Sequence, residues 1–270
     1  MTVVLTVHSH GGGSGKSYVA ASLAAVLARR GLTVCLVDTD VQAPGLHVLL
    51  GLTEADVTDT LADTLLDRCE IESAVYDVTD RLGASPAGRL MLVPGRLDPD
   101  LIAQLVGDGY DAGLLDEAIH VLIDRLTPDV LVLDTQAGMT NETMVALAAA
   151  DAVAILIRAD AQDLRGGAVA TAMTHLLNCP RTAVVVNMLA AADDADEVRA
   201  RAARAYGTDV AAVIPYLPEV AELSTGRLLL IDDPDHPLGA TILEIGRLLV
   251  DESAPDAVGG AGLSPEDYPD

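Results

Sequence analysis

Val3-Val4-Leu5-Thr6-Val7-His8-Ser9-His10-Gly11-Gly12-Gly13-Ser14-Gly15-Lys16-Ser17 is the stretch on which the reading of this chain turns. Val3 to Val7 is a short β-branched run, the signature of a buried strand. A glycine-rich loop follows it. Ser17 to Arg30 then carries Leu23, Val26 and Leu27 at helical spacing, and Gly31 stops that helix. A strand, a glycine loop and a helix in this order form a phosphate cradle. The backbone N–H groups of Gly12, Gly13, Ser14, Gly15 and Lys16 converge on one concavity, and the helix N-terminus adds positive potential. Lys16 is placed to reach the β- and γ-phosphates and Ser17 Oγ to ligate Mg²⁺. Lys16 is also the single lysine of the chain; the other fifteen basic residues are Arg. The first glycine of G-x-x-x-x-G-K-[ST] is replaced by His10, and three consecutive glycines restore freedom to the turn.

Outward from this stretch, apolar runs recur without alternation and are separated by helical segments. Strands are expected at 33–37, 90–93, 130–133, 152–157, 183–186 and 210–214. Helices are expected at 101–106, 114–126, 142–150, 164–177, 197–206 and 241–250. Such runs are parallel strands covered on both faces. The expected fold is therefore α/β, a doubly wound, mostly parallel sheet with helices on both faces. In such sheets the site lies beyond the carboxyl ends of the strands. Asp38, Asp40, Asp134, Asn187 and Pro215 all fall there. Asp134 would hold Mg²⁺ directly or through water, and Asp38 and Asp40 flank the cradle, where two carboxylates near a triphosphate could bind Mg²⁺ waters or orient the attacking water. Gly138 places an amide where it could sense the γ-phosphate. Asn187 could hydrogen-bond a purine edge, and the absence of an acid at Ala190 disfavours guanine. Residues 45–89 give no clear pattern.

Half of the 270 residues are apolar, enough for a full core, and the net charge is −25. That charge argues against nucleic acid and anionic membranes as partners, since both are themselves negative. Arg199, Arg201 and Arg204 form the best basic group, but acids precede it and a solvated helix face is expected. There is no Phe or Trp to build a stacking platform. Cys35, Cys69 and Cys179 are widely spaced, which disfavours a zinc or iron–sulfur site. With no basic leader and no apolar run of membrane-spanning length, a reduced cytoplasmic location is expected. The organisation expected is one nucleotide-binding domain at 1–250 and a disordered acidic tail at 251–270.

The phosphate loop, Asp38-Thr39-Asp40, Asp134-Thr135-Gln136-Ala137-Gly138 and the Asn187 strand end resemble the MinD/ParA group of P-loop ATPases. The resemblance covers about residues 1–250; Asp38 to Leu52, Met91 to Gly95 and Ala212 to Pro215 are particularly similar. It implies ATP and Mg²⁺ as ligands and Lys16 and Asp40 as catalytic residues. It places Pro215 on the adenine side, and it implies an ATP-dependent homodimer acting on a protein cargo or regulator. One departure stands out. The lysine that the family carries early in the loop, reaching the partner's phosphates, is Gly11 here. Hydrolysis is therefore expected to be slow unless an Arg of this chain or of a partner fills the gap, with Arg158 and Arg165 as the candidates. Gly11 keeps a second function open, an ATP-sensing scaffold with little or no hydrolysis. A bacterial tyrosine kinase fits less well, because the tail holds only Tyr268.

Overall fold

The computed structural model describes residues 1–83, 86–107, 110–223 and 226–250; the expected tail at 251–270 lies outside them. The chain starts with β1 (Val3–His8), the phosphate loop and α1 (Lys16–Arg29), then β2 (Thr33–Asp38). The stretch that gave no clear pattern holds two short helices, α2 (Leu46–Leu49) and α3 (Leu61–Leu65), several 3-10 turns and a two-residue strand, β3 (Tyr76–Asp77). There follow β4 (Arg89–Val93), α4 (Pro99–Gly107), α5 (Gly113–Leu126), β5 (Val130–Asp134), α6 (Asn141–Ala148) and β6 (Ala152–Ile157). The last third comprises α7 (Ala161–Leu176), β7 (Arg181–Leu189), α8 (Ala195–Tyr206), β8 (Asp209–Pro215), α9 (Pro218–Glu222), α10 (Leu229–Asp232) and α11 (Leu238–Val250).

The eight strands form one sheet in the order β3-β4-β2-β5-β1-β6-β7-β8. Every pairing is parallel except β3 with β4. This is the doubly wound sheet expected from the apolar runs. Each central strand is buried on both faces, which is why alternation is missing from its sequence. Strand β1 sits between β5 and β6, so the loop that leaves it emerges near the middle of the sheet.

Alternate strand residues feed opposite cores. Leu5, Val7, Leu36 and Val132 face α1 and α11, whereas Val4, Val37, Leu131 and Leu133 face the α5 side. Helix α1 packs through Ala20, Ala21, Ala24, Ala25 and Ala28, all fully buried. Gly246 of α11 lies against it, and a Cβ there would come within 3.1 Å of Leu27 Cδ2. Helices α7 and α8 cover the far end with a third core built on Ile155, Val184 and Val186. Arg199, expected on a solvated helix face, donates to the Val210 carbonyl of β8. Among the described residues, no helix is long and apolar enough to cross a membrane.

Candidate functional site

The phosphate loop is shaped by Gly15, the residue before α1, at φ 81. An L side chain is strained in that region, and space is also lacking: a Cβ would lie 2.4 Å from Asn187 Nδ2. Asn187 donates to the Ser14 carbonyl at 2.8 Å. Strand β7 runs two residues beyond the end expected at Asn187, with its register to β8 broken between Val186 and Leu189. One Asn187 donor thus braces the loop, a use that differs from reading a purine edge. Helix α1 begins with no side-chain cap and no acid in its first turn, so its positive end is not neutralised by the protein. Lys16 is buried, Gly12 and Gly13 are exposed, and Ser17 is half-buried.

Asp134 ends β5 beside Val7 of β1 and Asp38 of β2 in register. It is fully buried, and among the described residues neither carboxylate oxygen has a well-formed hydrogen bond, with the Ser17 hydroxyl the donor close enough to favour its ionised form. Burial pushes its pKa up to about 7, against the opposing pull of Lys16. Two orphaned anionic oxygens next to Ser17 and Lys16 are the donor set a hard divalent cation takes when phosphates complete its shell. Asp38 is equally buried and burial raises its pKa too, but its oxygens are occupied. Oδ2 accepts from the N–H of Gly45 at 3.0 Å and Leu46 at 3.1 Å, and Oδ1 from Asp40 at 3.3 Å. Asp38 therefore ties down the turn that follows β2. Asp40, half-buried in that turn, accepts from Ala43 N at 2.9 Å and Gln42 N at 3.3 Å.

The segment after Asp134 is latched to β1. Gly138, at φ 84, donates its amide to the Ser9 carbonyl at 3.2 Å. Thr135 donates its hydroxyl to the Val7 carbonyl and lies 2.9 Å from His8 Nδ1. That arrangement assigns the His8 proton to Nδ1, leaving Nε2 buried and without a partner. Burial, then the Lys16 charge, lowers the His8 pKa to about 3, so the ring stays neutral. Gln136 donates to Glu142 at 3.1 Å, and Tyr110 donates to the other oxygen of the same carboxylate. His8 was missed in the sequence; a polar residue closing an apolar strand next to a phosphate loop was its only signal.

Beside Gly15 opens a cavity of about 240 Å³ lined by Tyr18, Asn187, Met188, Pro215 and Leu217. Its walls are almost wholly apolar, and it has the place and size for a nucleobase. Pro215, the last residue of β8, is exposed at its edge. Met188 adopts φ 57, which turns the chain at the rim.

On the other side of the loop, Gly11 lies against α7. A Cβ at Gly11 would meet Asp163 Oδ1 at 2.4 Å. Asp163 is buried, and its Oδ2 accepts from both the backbone N and the Nε of Arg158. Arg165, the other arginine considered for this region, lines a shallow groove with His10.

A profile of the CobQ/CobB/MinD/ParA nucleotide binding domain matches residues 5–230. The chain is 26% identical over 252 residues to an uncharacterized ATP-binding protein of Methanocaldococcus jannaschii, covering 93% of this chain and 88% of the relative. It is 34% identical over 154 residues to the antiactivator FleN of Pseudomonas aeruginosa, covering 57% of this chain and half of FleN. Its fold is similar to that of the septum site-determining protein MinD complexed with Mg-ADP from Pyrococcus horikoshii. That likeness has a TM-score of 0.76 at 22% identity and covers 93% of this chain and 97% of the other.

Proposed function

The chain belongs to the CobQ/CobB/MinD/ParA nucleotide-binding family, and from that premise we propose that it is a slow Mg²⁺-dependent ATPase switch. Its ATP-bound form pairs with a second copy and positions or regulates a protein cargo in the cytoplasm. The observation that carries this reading is Asp134, fully buried with neither oxygen in a well-formed hydrogen bond at the foot of the phosphate loop. An uncompensated buried carboxylate is costly, and a divalent cation held there would remove that cost. Asp134 and Ser17 would hold Mg²⁺, which when bound neutralises charge on the β- and γ-phosphates. Gly12 to Ser17 would bind the phosphates through backbone N–H groups, and Lys16 would bind the terminal phosphates by charge.

Asp40 would orient the attacking water once ATP draws the turn at residues 40–43 inward. Asp38 serves the site by holding that turn, while Asn187, Met188 and Pro215 would bound the adenine. Gly138 would exchange the Ser9 carbonyl for a γ-phosphate oxygen, releasing the segment that follows Asp134. That exchange is how the nucleotide would be read at the surface. FleN, an antiactivator, and MinD, which determines the septum site, are relatives by name. They support a partner protein as the target.

Calorimetry with ATP and Mg²⁺ on the wild type and Lys16→Ala tests the site. Binding to the wild type and its loss in the variant are expected, because the chain has no other lysine. Equal affinity in both would refute the assignment.

A further inference from the structure

Lys16 is the only lysine, so a second permanently charged cationic side chain at the phosphates has to be an arginine. Asp163 singles one out. Its side chain is only 3% exposed and touches the phosphate loop on one side: Oδ1 lies 2.4 Å from where a Cβ on Gly11 would be, and has no hydrogen-bond partner. On the other side, Oδ2 holds Arg158, accepting from its backbone N at 3.1 Å and from Nε at 2.8 Å. Asp160 Oδ2 adds a contact to the same Nε at 3.3 Å. One short, buried side chain therefore lies between the loop and a guanidinium.

Both carboxylates engage Arg158 through Nε. Among the described residues, Nη1 and Nη2 make no hydrogen bond, and the side chain is 38% exposed. The fork that suits phosphate oxygens is left open. A carboxylate pressed against a triphosphate loop would repel the ligand if it stood alone. Paired with Arg158 it is neutralised, and the Nη edge of that cation is left outside the pair. Arg165 lies further along α7, in the groove beside His10.

We infer that Arg158 is a catalytic residue, the guanidinium that stabilises charge on the γ-phosphate during hydrolysis, and that Asp163 is its positioning residue. The inference rests on the ATPase reading above. In the step concerned, the oxygen of water bonds to the γ-phosphorus as the bond from that phosphorus to the β–γ bridging oxygen breaks. The bridging electron pair leaves with ADP, and the water gives up a proton, so the products are ADP, inorganic phosphate and a proton. Negative charge spreads over the equatorial oxygens as this happens, and Arg158 Nη1 and Nη2 donate hydrogen bonds to them.

Steady-state ATPase and calorimetric ATP binding on the full chain test this. Arg158→Ala is expected to lower kcat on the order of 10²-fold with ATP affinity unchanged. Added guanidinium chloride at low millimolar concentration should restore part of the lost rate, and Arg158→Lys should not. Asp163→Asn should lower kcat in the same way and add little to Arg158→Ala, since both act through one group. If Asp163→Asn fails to fold, Arg158→Ala with guanidinium rescue decides alone. Wild-type turnover in Arg158→Ala would overturn the inference and leave the ATPase reading standing, as would a loss of ATP affinity without rescue. Absence of Mg²⁺-dependent turnover in the wild type would refute both.

Discussion

Asp134→Asn should make the nucleotide-free protein more stable while abolishing its response to Mg²⁺. The carboxylate it replaces is fully buried, with neither oxygen in a well-formed hydrogen bond. A buried polar group left unsatisfied costs about 1–3 kcal/mol, more when charged. The nearby Lys16 charge offsets part of this, and the new amide has its own needs, so a net gain of about 1–2 kcal/mol is expected. For a domain of this size each kcal/mol moves Tm by about 2–4 °C, which puts the rise at about 2–8 °C. The gain should depend on pH. Asp134 titrates at about 7 in the fold, against 3.8 for an unperturbed carboxyl. Below both values the group is protonated in either state and carries no ionisation penalty. As pH climbs from about 4 to about 7, the unfolded chain ionises and the folded one resists, so wild-type stability falls. Above that window the penalty is full and constant. Asp38 also titrates high, and because its charge helps raise Asp134, its own titration shifts in the variant and adds to the pH-dependent difference.

Thermal melts of the two proteins across that range, with and without ATP and Mg²⁺, provide the check. Saturating nucleotide at a hundredfold excess over Kd should add about 2.7 kcal/mol to the wild type, and Mg²⁺ should add nothing to the variant beyond ATP alone. A variant that melts below the wild type near neutral pH, with the same gap in acid, would show that this carboxylate is not a cost and would refute the argument.

Gly15→Ala combines left-handed strain of about 1–2 kcal/mol with displacement of Asn187 from the Ser14 carbonyl, about 1 kcal/mol more. A fall in Tm of about 4–12 °C and weaker ATP binding are expected in melts and calorimetry, and an unchanged Tm would contradict the Cβ contact. Asp38→Ala frees the N–H groups of Gly45 and Leu46, so faster amide exchange across residues 40–46 is expected. Exchange at the wild-type rate there would mean that those hydrogen bonds do not hold the turn.

The parts legible in the sequence were those set by neighbours along the chain. The apolar runs of β1, β5 and β6 announce their burial. Asp134 closes its strand where a parallel sheet collects its ligands, and Lys16 stands out by being alone. Asn187 was visible as a strand-end residue, but its bond to Ser14 joins groups 173 residues apart, and no local pattern encodes it. Asp163 was hidden for a similar reason. An acid in the first turn of a helix reads as a complement to the helix dipole, and Asp160 is the actual cap. Only the fold reveals that Asp163 faces Gly11. That contact also changes what Gly11→Lys would do: its Cβ collides with the carboxylate before the ammonium reaches anything. The stretch from 45 to 89 resisted because its helices are one turn long and are fixed by tertiary contacts such as the Asp38 turn.

The alanine column of α1 has a mechanical meaning. Ala20, Ala21, Ala24, Ala25 and Ala28 are all fully buried, so the helix lies as low on the sheet as any side chain but glycine allows. Its first residue is Lys16, and the elevation of the phosphate loop above Asp134 is thus set by five methyl groups acting as shims. Thickening one shim to valine or leucine would tilt the helix and raise its N-terminus from the carboxylate. The grip on a phosphate would then loosen through residues that never touch it.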